Sequence, residues 1–343
     1  MDSLIDFNDC RTFLNDYEGA DTKLKISLEN EIYMLKLGRK LDDNERKLSV
    51  QASYSSSPVS EYIGCHAFSL AGIPVQETKL GTYNGHIVVA CKDFIQQRSD
   101  SEDVSLIEFN KLQSSFLQGK SPAGRTPALD NVLHIFTEHP YLNSIRDQAI
   151  DRFWKTFAVD SIVGNFDRHA GNWGYIYNNN IDRIIDLAPV YDCGSSFYPK
   201  LNEHGMLEFV RNPDLLKQRV LVFPTAALMI NGKKAKYHEF LLSKEGKPAR
   251  KALLDISKTF DMSKFLQFIA EMPGLTELQR EFYSTLVTVR NEAIIEPALD
   301  LAWQEELTKS KDGIGIDALM EQLAEPIENR FNAPDINKDN WDR

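Results

Sequence analysis

The run Gly164-Asn165-Phe166-Asp167-Arg168-His169-Ala170-Gly171-Asn172, with Tyr191-Asp192-Cys193-Gly194 downstream, gathers carboxylates, amides and an imidazole into a short span. It follows a strongly amphipathic segment. From Arg146 to Val163 the residues Ile150, Phe153, Trp154, Phe157, Ala158 and Ile162 share one helical face, and Gly164-Asn165 ends the pattern. Polar side chains in a loop straight after a rigid helix are held firmly enough to do chemistry. On the other side, 173–177 reads as a short strand that turns at Asn178-Asn179-Asn180 and returns through Ile181 to Leu187, so Asp192 follows a hairpin. Asp167 and Asn172 stand five positions apart, and both offer the hard oxygen donors that magnesium prefers.

Toward the N-terminus the pattern changes from helical to stranded. Leu24, Ile26 and Leu28 alternate with polar residues, Asn30 punctuates, and Ile32 to Leu37 follows, which predicts a hairpin. Ser60 to Leu70 carries a helical apolar stripe that stops at Gly72 and Pro74. A second hairpin runs from Thr78 to Tyr83 and from Ile87 to Cys91 about an Asn84-Gly85 turn. Gln96 to Asp103 is a polar connector, and helices are expected around Met262–Met272, Glu277–Ala293 and Asp317–Leu323. The tail from Asn332 is polar. The layout predicts an α+β chain of two lobes, a β-rich N-lobe (1–95) followed by a larger, mainly helical C-lobe (96–343).

Composition sets the outer limits. The 343 residues allow about two domains or one large two-lobed unit. Nineteen Phe, 12 Tyr and 4 Trp are spread along the chain, which excludes general disorder. The net charge of −11 disfavours nucleic acid as a partner. The longest apolar stretch, Val220 to Ile230, is interrupted by Pro224 and falls short of the roughly 20 residues a membrane helix needs. The start, MDSLIDFNDC, has no basic region followed by an apolar core. Cys10, Cys65, Cys91 and Cys193 lie far apart with no C-x-x-C pair, which suits reduced thiols in the cytoplasm.

Taken singly, the polar residues have ordinary readings. Lys36 is a solvated strand lysine, Glu61 a charge at a helix start, Asp192 a turn residue and Asn172 a cap before Trp173. His169 has no second His or Cys at ligand spacing, so it reads as an orienting residue of its loop. Their order along the chain decides otherwise: glycine turn, strand lysine, helix glutamate, hairpin, connector, Asp-x4-Asn, hairpin, Asp-x-Gly. That is the order of a protein kinase, whose catalytic loop H-R-D-x-x-x-x-N has the same Asp-to-Asn spacing, and it predicts an α+β, two-lobed, kinase-like fold with the ATP site between the lobes. Phosphoryl transfer needs a carboxylate to take the hydroxyl proton, oxygen ligands for Mg²⁺ and a cation on the phosphates. Asp167 supplies the first, Asn172 and Asp192 the second, and Lys36, paired with Glu61, the third. Gly19-Ala20-Asp21-Thr22-Lys23 stands where a phosphate-covering loop belongs.

The loop Gly164 to Asn172, with Leu187-Ala188-Pro189-Val190-Tyr191-Asp192, resembles the HipA-like serine/threonine kinases of bacteria, whose hallmark is G-N-x-D-x-H-x-x-N followed by a-P-x-Y-D. Tyr33 to Lys36 and Pro58 to Thr78 resemble the shorter members of that group, and the likeness spans roughly Tyr17 to Tyr198. The resemblance implies that Asp167 is the general base, that Asn172 and Asp192 hold Mg²⁺, and that Lys36 contacts ATP. It also implies that the lobe connection at Cys91-Lys92-Asp93-Phe94 meets adenine, with His169 among the cofactor-binding residues. It further implies a protein substrate with a Ser or Thr acceptor. In several members this is a translation protein such as an aminoacyl-tRNA synthetase, the kinase being a toxin held by an antitoxin partner. Self-phosphorylation is also implied, and Ser55, Ser56 and Ser57 are the candidate acceptors.

The chain departs from the larger HipA proteins, since it shows no extra N-terminal subdomain and its Gly19 to Lys23 run does not match their V-x-G-x-Q-x-K loop. Two other readings compete. Asp-Arg-His-x-x-Asn also resembles the loop of phosphoinositide-type kinases, which the acidic charge disfavours. A nucleotide-binding pseudokinase or interaction module is the other, against which stand unsubstituted Lys36, Asp167, Asn172 and Asp192.

Overall fold

The computed structural model describes residues 4–14, 23–38, 56–117 and 126–311. Its first part is a curled sheet of six strands in the order β1-β5-β6-β4-β3-β2. The strands are β1 (Ile5–Asp6), β2 (Arg11–Phe13), β3 (Lys23–Leu28), β4 (Glu31–Leu37), β5 (Thr78–Tyr83) and β6 (His86–Lys92). Both expected hairpins are present. Glu29 and Asn30 turn the first with φ of 54° and 66°, and Asn84 and Gly85 the second with 49° and 75°. Two successive left-handed residues give the turn twist that suits a tight hairpin.

Strand alternation sorts the side chains into two sets. Ile26, Tyr33, Leu35, Val88 and Ala90 point to one face and close on Phe7 in a separate small core. Val89 and Cys91 point to the other, where helix α1 (Ser57–Leu70) covers the sheet and joins the main core. Lys36 follows Leu35, so the same alternation turns it toward α1.

The rest of the chain is mainly helical, with two small sheets. The helices are α2 (Phe109–Leu117), α3 (Leu129–Glu138), α4 (Arg146–Val163), α5 (Glu203–Arg211), α6 (Pro213–Val222), α7 (Tyr237–Leu242), α8 (Lys247–Ser257), α9 (Met262–Glu271), α10 (Glu277–Arg290) and α11 (Glu296–Lys311). Strand β7 (Val104–Glu108) pairs with the hairpin β8 (Gly174–Asn178) and β9 (Arg183–Leu187). Strands β10 (Thr225–Ile230) and β11 (Lys233–Lys236) form a third sheet. Among the described residues no helix is long and apolar enough to cross a membrane.

Helix α4 matches its expected bounds but not its expected amphipathicity. Every residue from Thr156 to Val163 is buried, because α1, α8, α10 and β10 pack around the C-terminal half. The helix expected over Glu277–Ala293 leaves the α pattern at Arg290, passes through a π turn at Asn291–Ile295 and continues as α11. The apolar run Val220 to Ile230 divides at Phe223, where α6 ends and β10 begins. The expected helix 317–323 and the tail from 332 lie outside the described residues.

Two features join the strand-rich and helical parts beside the polar loop. Val75 bridges Val190 in parallel, with Gln76 N–H donating to Val190 O at 2.8 Å and Val190 N–H to Pro74 O at 2.9 Å. The other join is the contact of α1 with α4 and α9. At the sheet edge, β1 approaches β5 so closely that a Cβ on Gly81 would lie 2.1 Å from the Ile5 carbonyl oxygen and 2.4 Å from the Phe7 ring. Gly81→Ala is therefore expected to lower the unfolding free energy by about 1–3 kcal/mol, measured by urea denaturation. An unchanged midpoint would mean that β1 does not pack on β5.

Candidate active site

Three elements converge on one buried ammonium. Lys36 on β4 is 6% exposed, and Glu61 in the second turn of α1 is fully buried. Lys36 Nζ lies 3.1 Å from Glu61 Oε2 and 3.1 Å from Asp192 Oδ1. Burial alone would lower the lysine pKa, yet the Asp192 and Glu61 charges reverse this and hold it well above its ordinary value. Burial pulls Asp192 upward, and the Lys36 ammonium, its hydrogen bond and the Arg168 guanidinium bring it net below the usual carboxylate range. Lys36 thus lies between two carboxylates, and the Asp192 side chain, 42% exposed, is the open side of the group.

The backbone around Asp192 is shaped for this. Asp192 itself is left-handed at φ 58°. Such a conformation is uncommon for a side-chain-bearing residue and, where found, often marks a functional position. Gly194 follows because a Cβ there would sit 3.1 Å from Glu61 Oε2. Gly64 on α1 plays the complementary part, its added Cβ falling 2.7 Å from the Cys193 Cβ.

The loop after α4 is held from beneath by a second charge pair. Gly164 ends the helix at φ 68°, and its N–H donates to the Asp160 carbonyl. Asn165 is fully buried; its Nδ2 donates to Asp160 Oδ1 at 3.1 Å, and its Oδ1 accepts the Asp167 N–H at 3.1 Å. Arg168 meets the Asp160 carboxylate two-pronged, Nε to Oδ2 at 3.0 Å and Nη2 to Oδ1 at 3.1 Å. Its Nη1 donates to the carbonyls of Asn172 at 3.2 Å, Asp192 at 3.2 Å and Tyr191. One guanidinium thus fastens the two polar stretches to each other. Burial lifts the Asp160 carboxyl above its ordinary pKa despite the Arg168 charge.

The loop closes on itself. Asn172 Nδ2 donates to the Asp167 carbonyl at 2.8 Å, His169 N–H to the same carbonyl at 2.7 Å, and Gly171 N–H to His169 Nδ1 at 3.0 Å. His169 thus takes part in the loop's own hydrogen bonding through both its backbone N–H and its ring. Below, Tyr237 OH donates to the Asn165 carbonyl. The buried Arg290 donates through Nε to Ser161 and Ile162 carbonyls, each at 3.1 Å, at the C-terminal end of α4.

The other expected residues lie as follows. Lys23 stands opposite Lys36 in the β3–β4 register, and its charge reaches Asp192. Cys91 is buried on β6. The Lys92 ammonium is taken by Glu31 at 2.7 Å and Glu77 at 3.1 Å. Asp93 Oδ1 accepts the Ile95 and Gln96 N–H groups, and the Phe94 ring lies 5.9 Å from Tyr191. Ser56 N–H donates to the Pro199 carbonyl at 2.7 Å and its Oγ at 3.1 Å, while Ser57 opens α1. Gly19, Ala20, Asp21, Thr22 and Ser55 lie outside the described residues.

Asp160, Arg168, Tyr237 and Arg290 escaped the sequence reading. Asp160 had a visible signal, as an acid amid the apolar end of a helix where a charge needs a partner. Tyr237 and Arg290 had none, since each reaches the loop from more than 70 residues away.

This geometry agrees with the comparisons. Residues 16–267 match the HipA-like C-terminal domain family, most of the chain, and the chain belongs to that family. It is an enzyme, a HipA-like kinase of the serine/threonine class. It is 34% identical over 297 residues to the serine/threonine-protein kinase CtkA of Helicobacter pylori, covering 86% of this chain and 87% of that protein. The crystal structure of the proinflammatory kinase CtkA from Helicobacter pylori superposes with a TM-score of 0.78 at 31% identity, covering 88% of this chain and 98% of that one. HipA of Shewanella oneidensis, solved with HipB and operator DNA, shares the fold at a TM-score of 0.53 and 11% identity, over 86% of this chain and 68% of that one.

Two outcomes follow from the charge pairs. Arg168→Lys keeps a charge but cannot make the two-pronged contact. It should destabilise the protein toward the roughly 3–5 kcal/mol typical of a broken buried pair, and lower phosphate transfer with little change in the nucleotide KM. Calorimetry and steady-state rates measure both. Lys36, with its folded pKa raised, contributes stability that is complete below the ordinary lysine value near ~10.4 and is lost only as pH rises through the higher folded value. Lys36→Met should therefore destabilise the protein throughout pH 6 to pH 9, measured in urea titrations across that range.

Proposed function

We propose that this chain transfers a phosphoryl group from ATP to serine or threonine hydroxyls of a protein. The observation that carries the reading is the Lys36–Glu61–Asp192 constellation, in which a strand lysine, a helix glutamate and the acid beyond the catalytic loop meet at 3.1 Å. Residues 1–95 and 96–343 are read as the two lobes, with the nucleotide between them.

The residues suit ATP and Mg²⁺. Magnesium is commonly held by one or two carboxylates plus phosphate oxygens and water, not by an all-protein cage. The described residues contain no cluster of three or more His, Cys, Asp or Glu, but they do contain the partly exposed carboxylate of Asp192. Asp192 and Asn172 would hold the metal. The Asn172 amide nitrogen is already committed to the loop, which leaves its oxygen as the ligand atom. When bound, nucleotide and metal bring the transferable group and neutralise its charge.

The chain's own residues do the rest. Lys36 presents a permanent positive charge to phosphate oxygens, and Glu61 fixes its direction. Asp167, its backbone pinned on both sides, accepts the proton of the incoming hydroxyl. By their place in the sequence, Lys23 and the Gly19 to Thr22 run are assigned to the phosphates and the backbone at Cys91 to Phe94 to adenine. Ser55, Ser56 and Ser57 are the proposed acceptors for self-phosphorylation. The Pro199 contact means that Ser56 must leave the start of α1 to react.

Radiolabelled ATP with Mg²⁺ and a general protein substrate provides the test. Asp167→Ala should reduce transfer by about 10²–10⁴-fold, the usual contribution of a general base, while ATP still raises the melting temperature. Phosphopeptide mapping of the labelled chain should find phosphate within 55–57. Full activity of Asp167→Ala removes Asp167 as the base, and phosphate found only elsewhere removes the serine assignment.

A further inference from the structure

Beside Asp167 lies an aromatic wall to which neither the fold nor the nucleotide site assigns a task. Phe166, the residue before Asp167, has its ring 5.6 Å from Phe223, and Phe223 lies 5.6 Å from Tyr198. Tyr198 OH donates to the Phe223 carbonyl at 2.6 Å, and Phe166 N–H to the Ser195 carbonyl at 3.3 Å. The wall is therefore built from the catalytic loop, the segment after Asp192 and the end of α6. Phe166 and Phe223 are half-buried, and the adjoining Val222 is 52% exposed.

Arg219 lies over this wall. Its guanidinium carbon is 4.6 Å from the Phe223 ring centre and 5.9 Å from that of Tyr198. It is exposed, and no carboxylate among the described residues pairs with it. Arg98, Arg168 and Arg250, by contrast, each hold one: Asp100, Asp160 and Glu305. An arginine resting on aromatic faces keeps its charge and planar fork oriented, ready for a carboxylate. On a chain of net charge −11, this is a local place where an acidic side chain meets attraction.

We propose that Arg219, on the Phe166–Tyr198–Phe223 platform, is a peptide subsite selecting an acidic residue of the protein substrate close to the phosphorylated Ser or Thr. The proposal rests on the protein-kinase reading above. Ring steps of 5.6 and 4.6 Å separate Phe166 from the guanidinium. An extended peptide advances about 3.3 Å per residue, so the acid lies within about three residues of the acceptor. The occupant is an extended segment of another protein, with its acceptor at Asp167 and its acid at Arg219.

The test uses fluorescent peptides with one serine in an alanine background and a single Asp moved from four residues before it to four after. Both anisotropy and kcat/KM for phosphate transfer are read. One Asp position should raise kcat/KM about three- to fivefold over the all-alanine peptide, the upper range for an exposed charge pair. Arg219→Ala should abolish that preference, Arg219→Lys retain part of it, and Arg219→Glu invert it toward a Lys-bearing peptide. Transfer to the all-alanine peptide should be equal in all four proteins. Equal rates at every Asp position, or a preference that survives Arg219→Glu, overturns the subsite while leaving the kinase reading intact. If no peptide or protein is phosphorylated, the kinase reading fails. Anisotropy then decides the subsite separately: Arg219-dependent binding of the Asp peptide supports it, and its absence overturns it.

Discussion

A lysine ammonium buried between two carboxylates organises this molecule. Desolvating an ion costs several kcal/mol even after the protein relaxes, so Lys36 is tolerable only because Glu61 and Asp192 reach it together. Those partners come from a helix and from a segment 156 residues away in the chain. The sheet, α1 and the polar loop must therefore dock in one arrangement for the charge to be satisfied. Much of the surrounding detail serves this docking. Strand alternation turns Lys36 toward α1, and Gly194 and Gly64 remove the Cβ atoms that would hold the segment away.

The second pair, Asp160 with Arg168, does for the loop what the first does for the lobes. A buried pair is weak evidence of net stability, because its desolvation cost offsets the attraction. Its value here is geometric. The remaining guanidinium donors reach three carbonyls, on Asn172, Tyr191 and Asp192, which sets the spacing between the proposed base loop and the proposed metal acid. Arg290 and Tyr237 fix the floor of that loop through carbonyls of Ser161, Ile162 and Asn165. Each half of the site thus rests on a buried cation.

What could be read from the sequence follows the range of the interactions. Both N-terminal hairpins and α4 were legible, since their signals are local: turn residues with left-handed φ, alternating apolar positions, a helix closed by Gly164. Lys36, Glu61, Asp167, Asn172 and Asp192 were legible as an ordered set, although no one of them stands out alone. Strand β7 was missed because five residues of pattern are ambiguous until β8 pairs with them. Strand β11, Lys-Lys-Ala-Lys, carries no apolar alternation at all and exists by pairing with β10. Arg290 and Tyr237 serve the loop only through tertiary contact, so no local pattern could mark them.

The same distinction explains the position of α1. Its sequence predicts an amphipathic helix, but its burial includes Ser60 and Glu61, both at 0% exposure. Its start is tied to Pro199 through both the N–H and the hydroxyl of Ser56, and its middle lies against Cys193 with no room for a side chain at Gly64. A shift of α1 away from the sheet would break the Lys36–Glu61 pair and the Ser56–Pro199 contact together. Motion of the segment 193–199 would break the Ser56–Pro199 contact and pull Asp192 from Lys36. Helix and segment are therefore mechanically one unit, and Glu61 cannot be repositioned without also disturbing the backbone that presents Asp192.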